Sequence, residues 1–238
     1  MRVAAIQSSF IPWRGYFDFI ASVDVFVFLD DVQYTTSDWR SRNKVKTPKG
    51  TEWLSIPVVH GDRKLLVHQA LIDYSQNWVK KVLGSWRANY ARAPFFDEAN
   101  AILVTLGLCR MENLSDLNVA LTKRICEYLD IATPMILSTE LSLTGTKTDR
   151  LIDLLRKLGA TTYLSGPSAD AYLDKEAFRR NGIRLEYKSY DYVPYPQLWS
   201  NFEGAVTVLD LIANCGPEAK KYIRSRTPDK IVVECGAA

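Results

Sequence analysis

The strongest constraint on this chain lies in residues 1–43. An apolar run, Val3-Ala4-Ala5-Ile6, breaks at Gln7 into Ser8-Ser9-Phe10-Ile11-Pro12-Trp13-Arg14-Gly15, and Tyr16-Phe17 then open an apolar helix. A second run, Val25 to Leu29, ends on Asp30 and Asp31 and is followed by the polar return Trp39-Arg40-Ser41-Arg42-Asn43. Short apolar runs that break into polar, Pro and Gly residues predict buried parallel strands delivering loops to a site. Ligands of open α/β sheets bind beyond the carboxyl ends of the strands, so Gln7 to Gly15 and Asp30 to Asn43 are expected to meet over one crevice.

Downstream, strand and helix signals alternate. Glu52 to Val58 reads as a strand after the Pro48-Lys49-Gly50 turn, with Arg63 to Leu71 as its hairpin partner through His60-Gly61-Asp62. Trp78, Val82, Trp86 and Tyr90 recur every four residues and predict a helix. Phe95 to Leu108 and Leu117 to Leu129 add two more, the second with an N-cap signal at Ser115-Asp116. Residues 76–130 therefore form a helical insertion. Pro134 to Leu137, Thr161 to Leu164 and Ile183 to Tyr187 read as further strands, separated by helices over Asp149 to Leu158 and Asp174 to Asn181. Residues 190–238 hold an aromatic, proline-rich loop and a helix over Val206 to Asn214. The expected fold is a single α/β domain over 1–238, a mostly parallel sheet with right-handed crossovers and flanking helices.

At 238 residues the chain can bury a sizeable core. Its net charge of +3 does not name a partner, and no nucleic acid is expected. Cys109, Cys126, Cys215 and Cys235 are far apart with no CxxC pair, which argues against zinc or thioredoxin-like chemistry. With no signal peptide and no apolar run approaching about 18 residues, a cytoplasmic protein without a membrane span is expected.

The candidate chemistry sits in the loops. A helix opening at Gly15 beside the crevice suits a phosphate, although many such loops only turn the chain. Asp30 or Asp31 offers a Mg²⁺ ligand, a ribose-hydroxyl partner or a base on an amine, or else a cap. Arg42-Asn43 after Trp39 pair a guanidinium fork with an amide. Thr144 to Thr148 reads first as a helix cap and second as a phosphate contact, lacking P-loop spacing. Gly166-Pro167-Ser168 with Tyr172 lies at a strand end. Tyr190, Tyr192, Tyr195 and Gln197 are placed either to stack on a base or sugar or to cover the sheet edge. The two histidines, His60 and His68, fall away from the strand ends.

The run QSSFIPWRGYF, followed by DVFVFLDDVQY, W-x-x-RN, RLIDLLRKLGATTYLSG, AYLDKEAF and GIRLEY, resembles the WbqC-like family over nearly the whole chain. That family commonly opens with a Gln-Pro loop, where this chain has Ser8, and many members carry a longer glycine loop at Gly166-Pro167-Ser168-Ala169. The family is associated with surface-polysaccharide and O-antigen gene clusters. The resemblance implies work on a nucleotide-linked amino sugar, attaching glycine or another acyl group to its amine. A weaker likeness, at the level of fold, is to the nucleotidylyltransferase or Rossmann-like fold that includes pantothenate synthetase and class I aminoacyl-tRNA synthetases, whose HIGH signature is replaced by Pro12-Trp13-Arg14-Gly15.

The combined expectation is an amide-forming enzyme using an ATP-activated carboxylate such as an amino acid, with Mg²⁺ on Asp30 or Asp31. Asp30, Asp31, Arg42 and Asn43 carry the chemistry; Gln7, Ser8, Pro12, Gly15, Tyr16, Trp39, Gly166, Pro167, Ser168, Tyr172, Tyr195 and Gln197 bind substrate. Thioester-dependent acyl transfer, a non-catalytic sugar-nucleotide binding or scaffold role, and homodimerisation stay open.

Overall fold

The computed structural model describes residues 1–59 and 64–234. Six strands form the main sheet: β1 (Arg2–Ile6), β2 (Val25–Phe28), β5 (Met135–Leu137), β6 (Thr162–Ser165), β7 (Arg184–Tyr187) and β8 (Lys230–Val233). Their order is β5-β2-β1-β6-β7-β8, parallel except for β8, which pairs antiparallel with β7. The chain thus winds outward from β1 to β2 and β5, then returns to the other side of β1 for β6 and β7. The gap between β1 and β6 is the topological switch point, where open α/β sheets bind their ligands.

Strand alternation sends Ala4, Phe26 and Phe28 to one face and Val3, Ala5 and Val27 to the other. The first face is covered by α1 (Arg14–Ala21), α2 (Trp78–Tyr90), α3 (Phe96–Leu108), α4 (Leu114–Tyr128) and α7 (Val208–Cys215), the second by α5 (Lys147–Lys157) and α6 (Lys175–Arg180). Burial on both faces is why β1 and β2 are continuously apolar. The four-residue stripe holds, with Trp78, Val82, Trp86 and Tyr90 all buried. Helix α4 starts earlier than its Ser115-Asp116 signal suggests, because Asn113 caps it by accepting from the Ser115 and Asp116 N–H groups.

The expected hairpin survives only as an isolated antiparallel bridge between Val58 and Ile72, with the Val59 N–H donating to the Leu71 carbonyl at 2.8 Å. Glu52 to Ser55 belongs to β4 (Gly50–Ser55), whose partner is β3 (Arg42–Thr47) through the Pro48-Lys49-Gly50 turn. The expected second strand instead contains a short helical turn at Val67–Gln69, and its proposed turn, His60-Gly61-Asp62, lies outside the described residues with Arg63.

Candidate functional site

Over the carboxyl ends of β1, β2 and β6 lies a crevice of about 1100 Å³. Gln7, Pro12, Trp13 and Tyr16 line it from the first loop and α1, and Trp39, Arg40 and Asn43 from the polar return. Lys147 and Arg150 enter from the start of α5, and Ser165, Gly166, Ser168 and Tyr172 from the end of β6 and beyond, with Tyr190 from the aromatic loop. Both loops of the opening motif meet over one crevice, as expected.

The first loop is held by buried polar contacts. The Ser8 N–H donates to Asp30 Oδ1 at 2.7 Å, and Asn43 Nδ2 donates to the carbonyls of Phe10 and Ile11, both at 3.0 Å. The Phe10 N–H donates to the Trp39 carbonyl at 2.9 Å. These ties hold Ile11 in a left-handed conformation with φ of 36°, which few non-glycine residues adopt. Tyr16 Oη donates to the Gln7 carbonyl at 3.0 Å, and Gln7 Oε1 accepts from Arg40 Nη1 at 3.0 Å. Arg40 is thereby aimed across the end of β1.

Several expected roles change with this geometry. Asp30 is 1% exposed and does not line the crevice. Its Oδ1 accepts from Ser8 and its Oδ2 from the Ser115 hydroxyl, so its oxygens clamp the first loop to α4 instead of facing a metal or amine. Ser8 is fully buried behind that clamp. Asp31 accepts from the Ser138 hydroxyl at 2.6 Å and pairs with Arg150, so it positions a cation at the crevice. Among the described residues no cluster of His, Cys, Asp or Glu is set to hold a metal. A Mg²⁺ on Asp30 does not fit this donor set.

Arg42 leaves the crevice because β3 begins there and alternate residues point to opposite faces. Its guanidinium lies 4.2 Å from the centroid of the Trp53 ring, and Arg40, two residues earlier, takes the expected place at the crevice. Asn43 lines the crevice with its amide already committed to the loop. Gly15 serves packing: a Cβ there would sit 2.3 Å from the Trp13 ring, so only glycine lets the indole lie back on α1. Arg14 turns away from the loop into the aromatic segment, donating to the Val193 carbonyl at 2.7 Å with its guanidinium 4.7 Å from the Tyr192 ring centroid.

The aromatic segment divides. Tyr190 reaches the crevice, its ring 5.2 Å from that of Trp13. Tyr192 instead donates to buried Asp18 at 2.9 Å. Tyr195 and Gln197 are corrected: both donate to Oδ1 of the fully buried Asp210, each at 2.7 Å, while Tyr90 Oη donates to Oδ2 at 2.6 Å. Burial pushes the Asp210 carboxyl up from the ordinary carboxylate range, and the three donors oppose that shift. Pro167 starts the turn after β6 and is absent from the described crevice lining, unlike its neighbours Gly166 and Ser168. His68 lies behind Asp30, its Nδ1 2.9 Å from the Asp30 carbonyl oxygen.

Sequence reasoning missed Trp13, Arg40 and Arg150, and reached Lys147 only as part of the Thr144 to Thr148 loop, as a secondary phosphate contact. Lys147 and Arg150 stand three apart at the start of α5, a spacing that puts both on one helix face. Lys147 itself adopts φ of +50°, an uncommon conformation for a side-chain-bearing residue at a crevice rim.

The model of the WbqC-like protein family matches residues 7–222. The chain belongs to the WbqC-like family. It is 44% identical over 229 residues to the Mycobacterium tuberculosis protein named "Uncharacterized protein Rv1507c", covering 94% of this chain and 97% of that one. No solved structure matches significantly. The family match starts at Gln7 and so takes in both crevice loops, the α5 cations and the aromatic segment of this WbqC-like chain. Among the described residues, no helix is long and apolar enough to cross a membrane.

Proposed function

We propose that this WbqC-like protein is an enzyme of surface-glycan biosynthesis that joins an acyl or aminoacyl group to the amine of a nucleotide-linked amino sugar bound in the crevice. One observation carries the reading. The charged side chains among the described lining residues are all cations, Arg40, Lys147 and Arg150, and they share the crevice with the rings of Trp13, Trp39, Tyr172 and Tyr190. That combination suits a ligand with a diphosphate between two ring systems. Arg40, steadied by Gln7, and Lys147 contact the diphosphate; Asp31 holds Arg150 beside them. Gly166 and Ser168 leave room at the β6 end for the sugar.

The amide step follows the family resemblance. An ATP-activated carboxylate, as its acyl adenylate, meets the sugar's free amine; the new C–N bond forms, the acyl C–O bond breaks, and AMP leaves with the phosphate oxygen. The ammonium proton passes to solvent. The cations stabilise charge on the departing phosphate, and positioning supplies the remaining gain.

A second reading rests on what the lining lacks. No His, Cys, Asp or Glu appears among the described lining residues, so a non-catalytic sugar-nucleotide carrier also fits. Pyrophosphate release separates the two. With ATP and glycine or another small carboxylate alone, at most one pyrophosphate per enzyme is expected, and continuous release is expected only when a dTDP-linked amino sugar is also present. Binding of the nucleotide sugar with no turnover from any carboxylate or thioester donor would establish the carrier instead.

A further inference from the structure

The β3–β4 hairpin carries a second group of rings and cations just outside the crevice. Trp39 lines the crevice mouth and is 43% exposed; its ring centroid lies 5.3 Å from that of Trp53, which is 42% exposed. Over Trp53 stand the Arg42 guanidinium, 4.2 Å from the ring centroid, and Lys44 Nζ at 5.1 Å. Cross-strand register explains the grouping, since Lys44 faces Trp53 directly and Arg42 lies two residues along the same face. Among the described residues neither cation forms an ion pair, although seventeen such pairs are present elsewhere. Two like charges are therefore gathered on one indole with no acid to neutralise them, which leaves a local excess of positive charge beside an exposed ring.

Trp39 makes this platform continuous with the crevice. The crevice alone, at about 1100 Å³, already exceeds the range for a site holding one small ligand, about 300–1000 Å³. Exposed rings with adjacent unpaired cations hold ligands that join a flat ring to a phosphate, by stacking and by charge together.

We infer that the hairpin platform is a second nucleotide subsite, with the base of a nucleoside phosphate on Trp39 and its phosphates on Arg42 and Lys44. This rests on the crevice being the nucleotide-sugar site, and it gives the amide-forming reaction separate seats for its two nucleotides. In that arrangement the adenine nucleotide is seated at the mouth, its base on the ring that borders the crevice and its outer phosphates on the hairpin.

Calorimetric titration of the full chain with ADP, with and without saturating dTDP-glucose, tests this. The wild type is expected to bind both together. The double variant Arg42→Ala, Lys44→Ala is expected to lose about tenfold or more in ADP affinity while binding dTDP-glucose unchanged. Trp53→Phe, whose thermal unfolding reports folding, is expected to weaken ADP in the same sense. Equal ADP binding by wild type and double variant overturns the subsite and leaves the crevice reading intact. Displacement of ADP by dTDP-glucose shows one shared seat and also overturns it. Pyrophosphate competing as well as ADP overturns the role of the ring. If dTDP-linked sugars do not bind the wild type at all, the crevice reading itself fails.

Discussion

Asp210→Ala is expected to lower folding stability by about 3–5 kcal/mol, the range for removing one partner from a buried charged network. Asp210 is fully buried on α7, and its two oxygens take the hydroxyls of Tyr90 and Tyr195 and the amide of Gln197. Removing the carboxylate leaves the buried Tyr90 and Tyr195 hydroxyls without their acceptor, each costing about 1–3 kcal/mol where nothing replaces it, while half-buried Gln197 keeps its bond to the Glu203 carbonyl. The network extends further: Tyr90 Oη accepts from the Lys46 N–H at 2.9 Å, and Lys46 Nζ donates to Gln197 Oε1 at 2.8 Å. Helix α2, strand β3, the aromatic segment and α7 are thus tied at one point. Urea denaturation measures the loss, and Asp210→Asn, which keeps one acceptor oxygen, is expected to lose less. A change below about 1 kcal/mol in Asp210→Ala would show that the donors find other partners.

The largest effect on ligand binding is expected from Arg40→Ala. Arg40 is the cation that the first loop itself orients, through Gln7 Oε1 at 3.0 Å. A charge-assisted hydrogen bond is worth about 1.5–3 kcal/mol, so its loss should raise the Kd for a dTDP-linked sugar by roughly ten- to a hundredfold. Arg42→Ala, only two residues away, should leave that Kd unchanged, because its guanidinium lies on Trp53 outside the crevice. Titration of both variants checks the contrast, with thermal unfolding as the folding control. Equal Kd values for wild type and Arg40→Ala would remove Arg40 from the phosphate contact.

The contrast between Arg40 and Arg42 also marks where the sequence stops being legible. The apolar runs of β1 and β2 are unmistakable because both their faces are buried, and they alone place the crevice. Strand β3 is different. Arg42-Asn43-Lys44-Val45-Lys46-Thr47 has charged residues at alternate positions and no apolar face to announce a strand, so its parity was invisible. Arg40 lies before the strand, in the irregular polar return, where alternation does not set side-chain direction, and the apolar runs alone do not separate it from Arg42 at the strand's first position. Asp30 and Asp31 show the same limit: alternation separates them, and the clamp on Asp30 comes from Ser115, distant in sequence.

Tyr195 and Gln197 were read as pocket residues because aromatic and amide side chains in a proline-rich loop suit a sugar. Their partner, Asp210, lies in a helix whose neighbours are apolar, and nothing local signals a buried carboxylate there. Strand β8 escaped for a simpler reason. Only Lys230–Val233 pairs at the sheet edge, too short a run to stand out beside the adjoining loop. Arg150 is hidden inside a helix whose apolar stripe draws the reading, whereas Lys147 is legible only through the Thr144 to Thr148 loop that opens the same helix.

The most direct measurement is a crystal structure of the protein grown with a dTDP-linked amino sugar. The account predicts density over the carboxyl ends of β1 and β6, with the diphosphate within hydrogen-bond reach of Arg40 and Lys147 and the sugar toward Gly166 and Ser168. Density for the ligand elsewhere, with this crevice empty at saturating concentration, would contradict it.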